Sequence, residues 1–448
     1  MSDTLLVKNA FVVTMDSQRR ILDRGYIAIR DGKIENVQQG KPTGFNSGRV
    51  IDAAGKIAIP GLICAHNHMY GVLSHGMPVR NPPTTFRGFL KDFWWPQVED
   101  RLGQREISAA TEFACAQMAK SGTTTFADIL EAPNSMPGAL NTEASIVQKS
   151  GLRAILSFEA SERAGAKRAE ESLGENLRFI QKWNRKKGLL RGMMCTHTLF
   201  TCSTEFLQKA KELAAEHHVG IHIHLEEARD EIDYAMRAYD KLPVEVYEEI
   251  GFLAPDLLAS QCVQTRPEEI KLLKKYDVKL AHMPLSNCEV GGGVAPLNEF
   301  LDSGLTVGLG TDGYVTDMFE VMRAAFLIHK GHRQDATLIP AHVAFELATI
   351  SGAKALGMGD DIGSLEEGKQ ADMLLLDRTF PTPVTTENVF AQLVTFGSGN
   401  LVDAVIVSGR TIVANHKVRT LNEQDAREKC SRVAARFWEK FDRVLPSH

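Results

Sequence analysis

The chain has 448 residues, with 51 Lys and Arg against 56 Asp and Glu for a formal net charge of −5, and 44% of it is hydrophobic. That is the composition of an ordinary globular protein, and its mild acidity argues against a nucleic-acid or anionic-membrane partner. No apolar run reaches the ~20 residues that span a bilayer, and Met1-Ser2-Asp3-Thr4 lacks the basic-then-apolar layout of a signal peptide, so a cytoplasmic location is expected.

The first 55 residues read as β. Leu5-Leu6-Val7 and Ala10-Phe11-Val12-Val13 are strand-like, and Tyr26-Ile27-Ala28-Ile29 turns through Asp31-Gly32 into Ile34-Glu35-Asn36-Val37, a hairpin signal. A similar texture returns at 372–377, 404–407 and 411–413. The two ends, 1–56 and 362–420, are therefore expected to pair into one small β-sandwich domain, with a C-terminal amphipathic helix at 421–448.

Between 57 and 361, eight β-like runs alternate with helical stretches such as 205–217 and 267–275. The runs are 57–64, 123–127, 152–158, 192–196, 220–225, 257–263, 278–282 and 305–310. This pattern suits an α/β fold, a (β/α)8 TIM-like barrel. A doubly wound open sheet is the competing architecture, but no glycine fingerprint for a dinucleotide follows any strand.

His66-Asn67-His68 stands directly behind the first run. Side chains alternate along a strand, so residues at i and i+2 face the same way, and the two imidazoles make a ready pair of ligands for a divalent metal. The fifth run ends in His222-Ile223-His224-Leu225-Glu226-Glu227, and the eighth in Gly310-Thr311-Asp312-Gly313. Metal-type residues thus fall at the C-terminal ends of strands one, five and eight, the rim where parallel α/β barrels assemble catalytic sites. A long connection after strand one, 75–102, carries Arg80, Phe86, Arg87, Phe89, Phe93, Trp94 and Trp95. Such rim loops cover pockets; alternatively, the aromatics form one face of a helix packed on the barrel. The seven cysteines are scattered and contain no C-x-x-C pair, which suggests neither a zinc knuckle nor a disulfide framework.

With these residues in view, the chain resembles the amidohydrolase superfamily, in particular its branch of mononuclear-metal aminohydrolases. The matching pieces are Pro60-Gly61-Leu62-Ile63-Cys64-Ala65-His66-Asn67-His68, Ser121-Gly122-Thr123-Thr124-Thr125-Phe126-Ala127-Asp128, His222-Ile223-His224-Leu225-Glu226-Glu227 and Gly310-Thr311-Asp312-Gly313. Gly363-Ser364-Leu365-Glu366-Glu367-Gly368-Lys369-Gln370-Ala371-Asp372 is similar to the family's return into its β-sandwich. Phe93-Trp94-Trp95-Pro96 and Thr311-Asp312-Gly313-Tyr314 look most like the SsnA-type aminohydrolases of that branch. The family also includes deaminases of adenosine derivatives, guanine and cytosine, and hydrolases of s-triazines.

The resemblance implies one Zn²⁺ per chain, with Fe²⁺ as the alternative, held by His66, His68, His224 and Asp312. Strand parity alone admits His222 as well as His224; the family pattern, a His three residues before the glutamate, selects His224. Binuclear relatives carry a bridging carboxylated Lys at the end of strand four, and Arg191-Gly192-Met193-Met194-Cys195-Thr196-His197 has none there. Glu227 is implied as general acid and base, Asp312 as proton acceptor besides ligand, and His282 as a catalytic histidine facing substrate. His197, Gln261, Trp95 and Tyr314 are the expected substrate contacts. One departure stands out: the family's sixth strand usually ends Ala-His-Cys-Val, and here it reads Ser260-Gln261-Cys262-Val263. Gln261 donates a hydrogen bond but carries no positive charge.

The implied reaction is hydrolytic deamination of an amino-substituted nitrogen heterocycle (purine, pyrimidine, pterin or triazine) by a metal-activated water, on a small-molecule substrate and in a homodimer. Alternatives are hydrolysis of a cyclic amide, displacement of another leaving group from a triazine-like ring, and a metal-binding pseudoenzyme. Gln261 favours the last; retention of all four ligands and Glu227 opposes it.

Overall fold

A computed structural model describes residues 3–42, 45, 48–79, 83–184 and 188–439. The alternating apolar residues of the two chain ends meet in one mixed nine-stranded sheet. Thr4–Val13 pairs antiparallel with Ile21–Arg30, and that strand with Lys33–Gln39; Met373–Asp377, Val402–Val407, Arg410–Ala414 and Lys417–Val418 extend the sheet from the other end. Lys56–Pro60 joins the halves. It lies parallel to Thr4–Val13, with Ile57 opposite Phe11, and antiparallel to Met373–Asp377, with Pro60 opposite Met373. Leu5, Val7, Ile27, Leu375 and Ile406 fill the core of this unit.

The first barrel run departs from expectation. Residues 57–64 form two strands: Lys56–Pro60 in the end sheet and Leu62–Asn67 in a parallel sheet. Gly61 is the break, because a Cβ there would lie 2.0 Å from Thr124 Oγ1, while its N–H reaches Asp372 O at 3.0 Å. Both strands are buried on both faces, so no change in polarity marks the junction.

Beyond it the strands are parallel and pair in chain order. Leu62–Asn67, Thr123–Leu130, Arg153–Phe158 and Leu190–Gly192 form one sheet; Met194–Thr196, Ile221–Leu225, Leu257–Gln261, Lys279–His282 and Val307–Leu309 form another. The expected fourth strand is thus interrupted at Met193 and contributes a segment to each sheet. The sheet edges exchange backbone hydrogen bonds at both ends: His197 N–H to Ala160 O at 3.2 Å, and Thr311 N–H to His66 O at 2.9 Å. Ile63, Ala65, Ala127, Ile155, Leu258 and Ala281 form a buried cluster along the strands, while Phe126, Phe158, Leu225, Leu257 and Leu309 join the core that includes the helices. Thr204–Glu216 begins where Ser203 Oγ accepts from Phe206 N–H at 3.3 Å, an N-cap. Pro267–Lys275 begins with proline at its first turn.

The long connection after Leu62–Asn67 is helical at its far end. Phe86–Gly88 runs into a π-helix, Phe89–Val98, with Pro96 inside it. A proline cannot donate to an α-helical ladder, and wide turns of this kind cluster at functional sites. The C-terminal helix, Glu423–Glu439, is pinned to this region by Trp438 Nε1, which donates to Leu73 O at 2.7 Å. The remainder of the expected helix, 440–448, and Arg80 of the connection lie outside the described residues. Among the described residues no helix is long and apolar enough to cross a membrane.

Candidate active site

The His66 and His68 rings, one strand period apart, lie with centroids 4.8 Å apart. Asn67, between them, points the other way and knits three strands together. Its Nδ2 donates to Asp128 Oδ1 at 2.7 Å, and its Oδ1 accepts from Thr311 Oγ1 at 2.7 Å and Gly313 N–H at 3.2 Å. Asp312 takes a positive φ of 58°, which Asp tolerates. Gly313 follows at 76°, where a Cβ would stand 2.5 Å from His68 O, so only glycine lets the eighth strand's end close over the first.

Nitrogen and oxygen lone pairs converge at this point. His68 Nδ1–H donates to Ile129 O at 2.9 Å, which leaves Nε2 to take either a proton or a metal. That Nε2 faces His224 Nε2 at 3.2 Å and Asp312 Oδ1 at 3.4 Å, and His66 Nε2 lies 2.8 Å from the same Asp312 oxygen. Ligand atoms of His66, His68, His224 and Asp312 all fall within 4.8 Å of one another. Acceptors this close require a proton or a cation among them, and three imidazoles with one carboxylate are a donor set that fits Zn²⁺. His222, left open by strand parity, turns instead to His66, its Nε2 3.1 Å from His66 Nδ1.

Electrostatics follow the same geometry. Burial pulls the His68 imidazole down, but hydrogen bonding to Asp312 and its charge outweigh that and leave it raised to about 9. Burial opposes ionisation of Asp312, yet its hydrogen bonds to His66 and His68 hold its carboxyl well below the usual range. Burial, with the nearby Asp312 charge, pushes Glu227 well above the usual carboxyl range. Burial and the Arg163 charge take His197 down to about 3.

These groups open into a cavity of about 740 Å³, lined by His68, His197, His224, Glu227 and Asp312 at its base and by residues of the 75–102 connection. Trp95 and Tyr314 both line it; the Trp95 ring meets His197 edge-on with centroids 6.2 Å apart. The aromatics of the connection thus serve both expectations at once, packing on one another and walling the cavity. Gln261 and His282 are not among the lining residues. Gln261 lies behind Asp312, where its Nε2 donates to Asp312 Oδ2 at 3.0 Å. His282 turns to His329, with their Nε2 atoms 3.1 Å apart. His329 belongs to the helix Met318–Arg333, so a helix residue takes up the ring.

Sequence reading missed Glu159 and the ion-pair group beside it. Glu159 follows the third parallel strand by one residue, buried and lining the cavity, 3.4 Å from His197 Nε2 and 3.8 Å from His224 Nδ1. Its position just past a strand end was the available signal. Arg163, stacked 5.2 Å over Trp95, bonds Glu99 at 3.0 Å, Asp100 at 2.9 Å and also Glu131.

Comparison with known proteins finds relatives over almost the whole chain. Residues 57–412 match the amidohydrolase family. The chain is 36% identical over 445 residues to a 5'-deoxyadenosine deaminase of Methanosarcina acetivorans, covering 96% of this chain and 97% of that protein. It is 35% identical over 442 residues to a 5-methylthioadenosine/S-adenosylhomocysteine deaminase of Moorella thermoacetica, covering 97% and 99%. Among solved structures, a zinc-bound adenosine deaminase of Xanthomonas campestris superposes with a TM-score of 0.88 at 23% identity, over 98% of this chain and 99% of that one. A zinc-bound atrazine chlorohydrolase of Arthrobacter aurescens gives 0.84 at 22% identity, over 96% and 100%.

Proposed function

The chain belongs to the amidohydrolase family, and on that premise we propose that it removes the exocyclic amino group of an adenosine-type purine by hydrolysis. It is a hydrolase of C–N bonds other than peptide bonds, acting on a small heterocyclic molecule. The adenosine class comes from the relatives' substrates. The observation that carries the reading is the convergence of four lone-pair donors at a cavity that Glu227 also lines.

We assign His66, His68, His224 and Asp312 as ligands of one zinc per chain; the same donors also serve Fe²⁺. When bound, the metal supplies Lewis acidity that lowers the pKa of a water to about 7. Asp312, its Oδ2 fixed by Gln261, is placed to accept the proton of the attacking water. Glu227 delivers its own proton to the ring nitrogen next to the attacked carbon. Asp312 then returns a proton to the departing amino group, which leaves as ammonia, and the proton of the new hydroxyl on the attacked carbon restores Glu227, so that the product keeps the ring N–H and gains a carbonyl. His197, Trp95 and Tyr314 hold the substrate, while Gln261 acts as a positioning residue. Supported by the hydrogen bonds between their edges, the two parallel sheets are read as one (β/α)8 barrel. We place that barrel at 62–361, since 57–60 lie in the end sheet.

The test is ammonia release by zinc-loaded protein from 5'-deoxyadenosine and related aminopurines. Release that falls by ~10²–10⁴ in Glu227→Gln, with zinc still bound, is the expected result. Release of another leaving group without ammonia moves the reading to displacement chemistry, and a silent protein with full metal content points to a binding role.

A further inference from the structure

The four candidate ligands come from three strand ends, and two of those ends meet at a seam. Leu62–Asn67 and Val307–Leu309 belong to different sheets, so among the described residues no strand ladder sets how far Asp312 stands from His66 and His68. The backbones nevertheless approach closely: His66 O accepts from Thr311 N–H at 2.9 Å and from Asp312 N–H at 3.2 Å. A Cβ at Gly310 would lie 2.6 Å from that same carbonyl, and one at Gly313 2.5 Å from His68 O. Missing side chains permit this approach. They do not hold it at one spacing.

One side chain spans the seam. Asn67 is buried, and the two ends of its amide go to different strands. Its Oδ1 accepts from Thr311 Oγ1 at 2.7 Å and from Gly313 N–H at 3.2 Å, the two residues that flank Asp312. Its Nδ2 donates to Asp128 Oδ1 at 2.7 Å. That oxygen also accepts from Met69 N–H at 2.8 Å, so Asn67 and Met69, the two residues that flank His68, end on one atom. The partners settle which way the amide faces: a backbone N–H calls for its oxygen on one side, and a carboxyl oxygen already accepting an N–H calls for its nitrogen on the other. Both neighbours of His68 and both neighbours of Asp312 are thereby tied to a single Asn–Asp pair. Aspartate at position 67 would set a second carboxylate against Asp128, and leucine, of similar shape, offers neither donor nor acceptor.

Resting on the zinc assignment above, we propose that Asn67 is a positioning residue of the metal centre, a clasp across the seam that sets the spacing between the His66–His68 pair and Asp312. Its task is distinct from that of Gln261. Gln261 aims the Asp312 carboxylate through Oδ2 at 3.0 Å, whereas Asn67 fixes the backbone that carries it. Removing the Asn67 amide loosens the ligand set without removing a ligand, and a loosened set binds its metal less tightly and in an altered geometry.

The test compares wild type, Asn67→Leu and Thr311→Val, each prepared free of metal. Zinc affinity is measured by competition with a chromophoric chelator, ligand geometry by the visible absorption of the cobalt-substituted proteins, and folding by thermal unfolding of the metal-free forms. Asn67→Leu should bind zinc at least ~10-fold more weakly, with a changed cobalt spectrum. Thr311→Val, which keeps the Gly313 bond, should move both in the same direction by less. A side chain that only stabilised the fold would lower the unfolding temperature and leave zinc affinity and the cobalt spectrum of the folded protein as in wild type; that result overturns the proposal. Should Asn67→Leu fail to fold, Thr311→Val decides alone: weaker zinc binding supports the clasp, and wild-type affinity with a wild-type spectrum overturns it. A wild-type protein that takes up neither zinc nor cobalt removes the ligand assignment and this proposal together. Tight binding by wild type, with variants indistinguishable from it, leaves the assignment standing and sinks the clasp alone.

Discussion

In the rim of the parallel strands, His66, His68 and Asp312 are each tied to a side chain or carbonyl on another strand; the π-helix Phe89–Val98 that walls the cavity packs through ring contacts, and Arg163 pairs with Glu99 and Asp100 just beyond it. His68 hangs from Ile129 O and Asp312 from Gln261, at 2.9 and 3.0 Å. By contrast, Phe89, Phe93 and Trp94 meet at centroid distances of 5.5 to 6.3 Å in a π-helix. Directional hydrogen bonds fix an atom within tenths of an ångström, while ring contacts keep most of their energy when a ring slides. The difference separates two tasks: the rim preorganises chemistry, and the wall adapts to what is bound.

Gln261→Ala probes the rim hardest without touching a ligand. It frees Asp312 Oδ2, and loss of a group that orients a metal ligand costs ~10–100-fold in activity or metal affinity. Turnover should fall by that factor with KM little changed, measured in steady state alongside zinc content. A wild-type rate would mean that Asp312 is positioned without Gln261 and that the rim is less constrained than its bonds suggest. Trp95→Ala removes a ring from the wall. KM should rise ~10-fold while kcat stays within about threefold, because packing surface contributes to binding in ground state and transition state alike. If kcat falls as far as in Gln261→Ala, the wall is as preorganised as the rim and the contrast fails.

The same contrast decides what could be read from sequence. His66 and His68 were legible because a strand's period of two is a local property, and Asp312 because glycines frame it at the end of an apolar run. Partnerships across the fold were not. Gln261 meets Asp312 from 51 residues away and His282 meets His329 from 47, and neither helix nor strand periodicity records such pairs. His282, read as facing substrate, therefore ends beside a helix, and Gln261, read as a substrate contact, ends behind a ligand. The Gly61 break escaped because both strands it separates are buried on both faces and read as one apolar run. Glu159 escaped because a lone carboxylate one residue past a strand has no motif around it, and the π-helix because no side-chain pattern marks a widened turn.

A carboxyl underneath the rim offers the finest test, on stability rather than turnover. Glu231, in the first turn of Arg229–Tyr239, accepts from Leu199 N–H at 3.1 Å and from Glu226 N–H at 2.6 Å, bracing the chain that carries Glu227. Burial raises its pKa from 4.5 to about 7, against the lowering effect of those two backbone bonds. A carboxyl raised in the folded state binds its proton more tightly there than in the unfolded chain. Its stabilising contribution is therefore complete below pH 4.5 and lost as pH rises through about 7. The shift corresponds to ~3 kcal/mol. Glu231→Gln holds no titrating proton and loses one backbone hydrogen bond, a pH-independent cost of about 1 kcal/mol. Subtracting the variant's unfolding free energy from the wild type's cancels the other titrating groups. Measured by urea denaturation, that difference should fall by ~3 kcal/mol between the acid and neutral limits. Parallel curves would show that the two backbone donors hold Glu231 ionised throughout, which would make this brace as rigid as the hydrogen bonds above it.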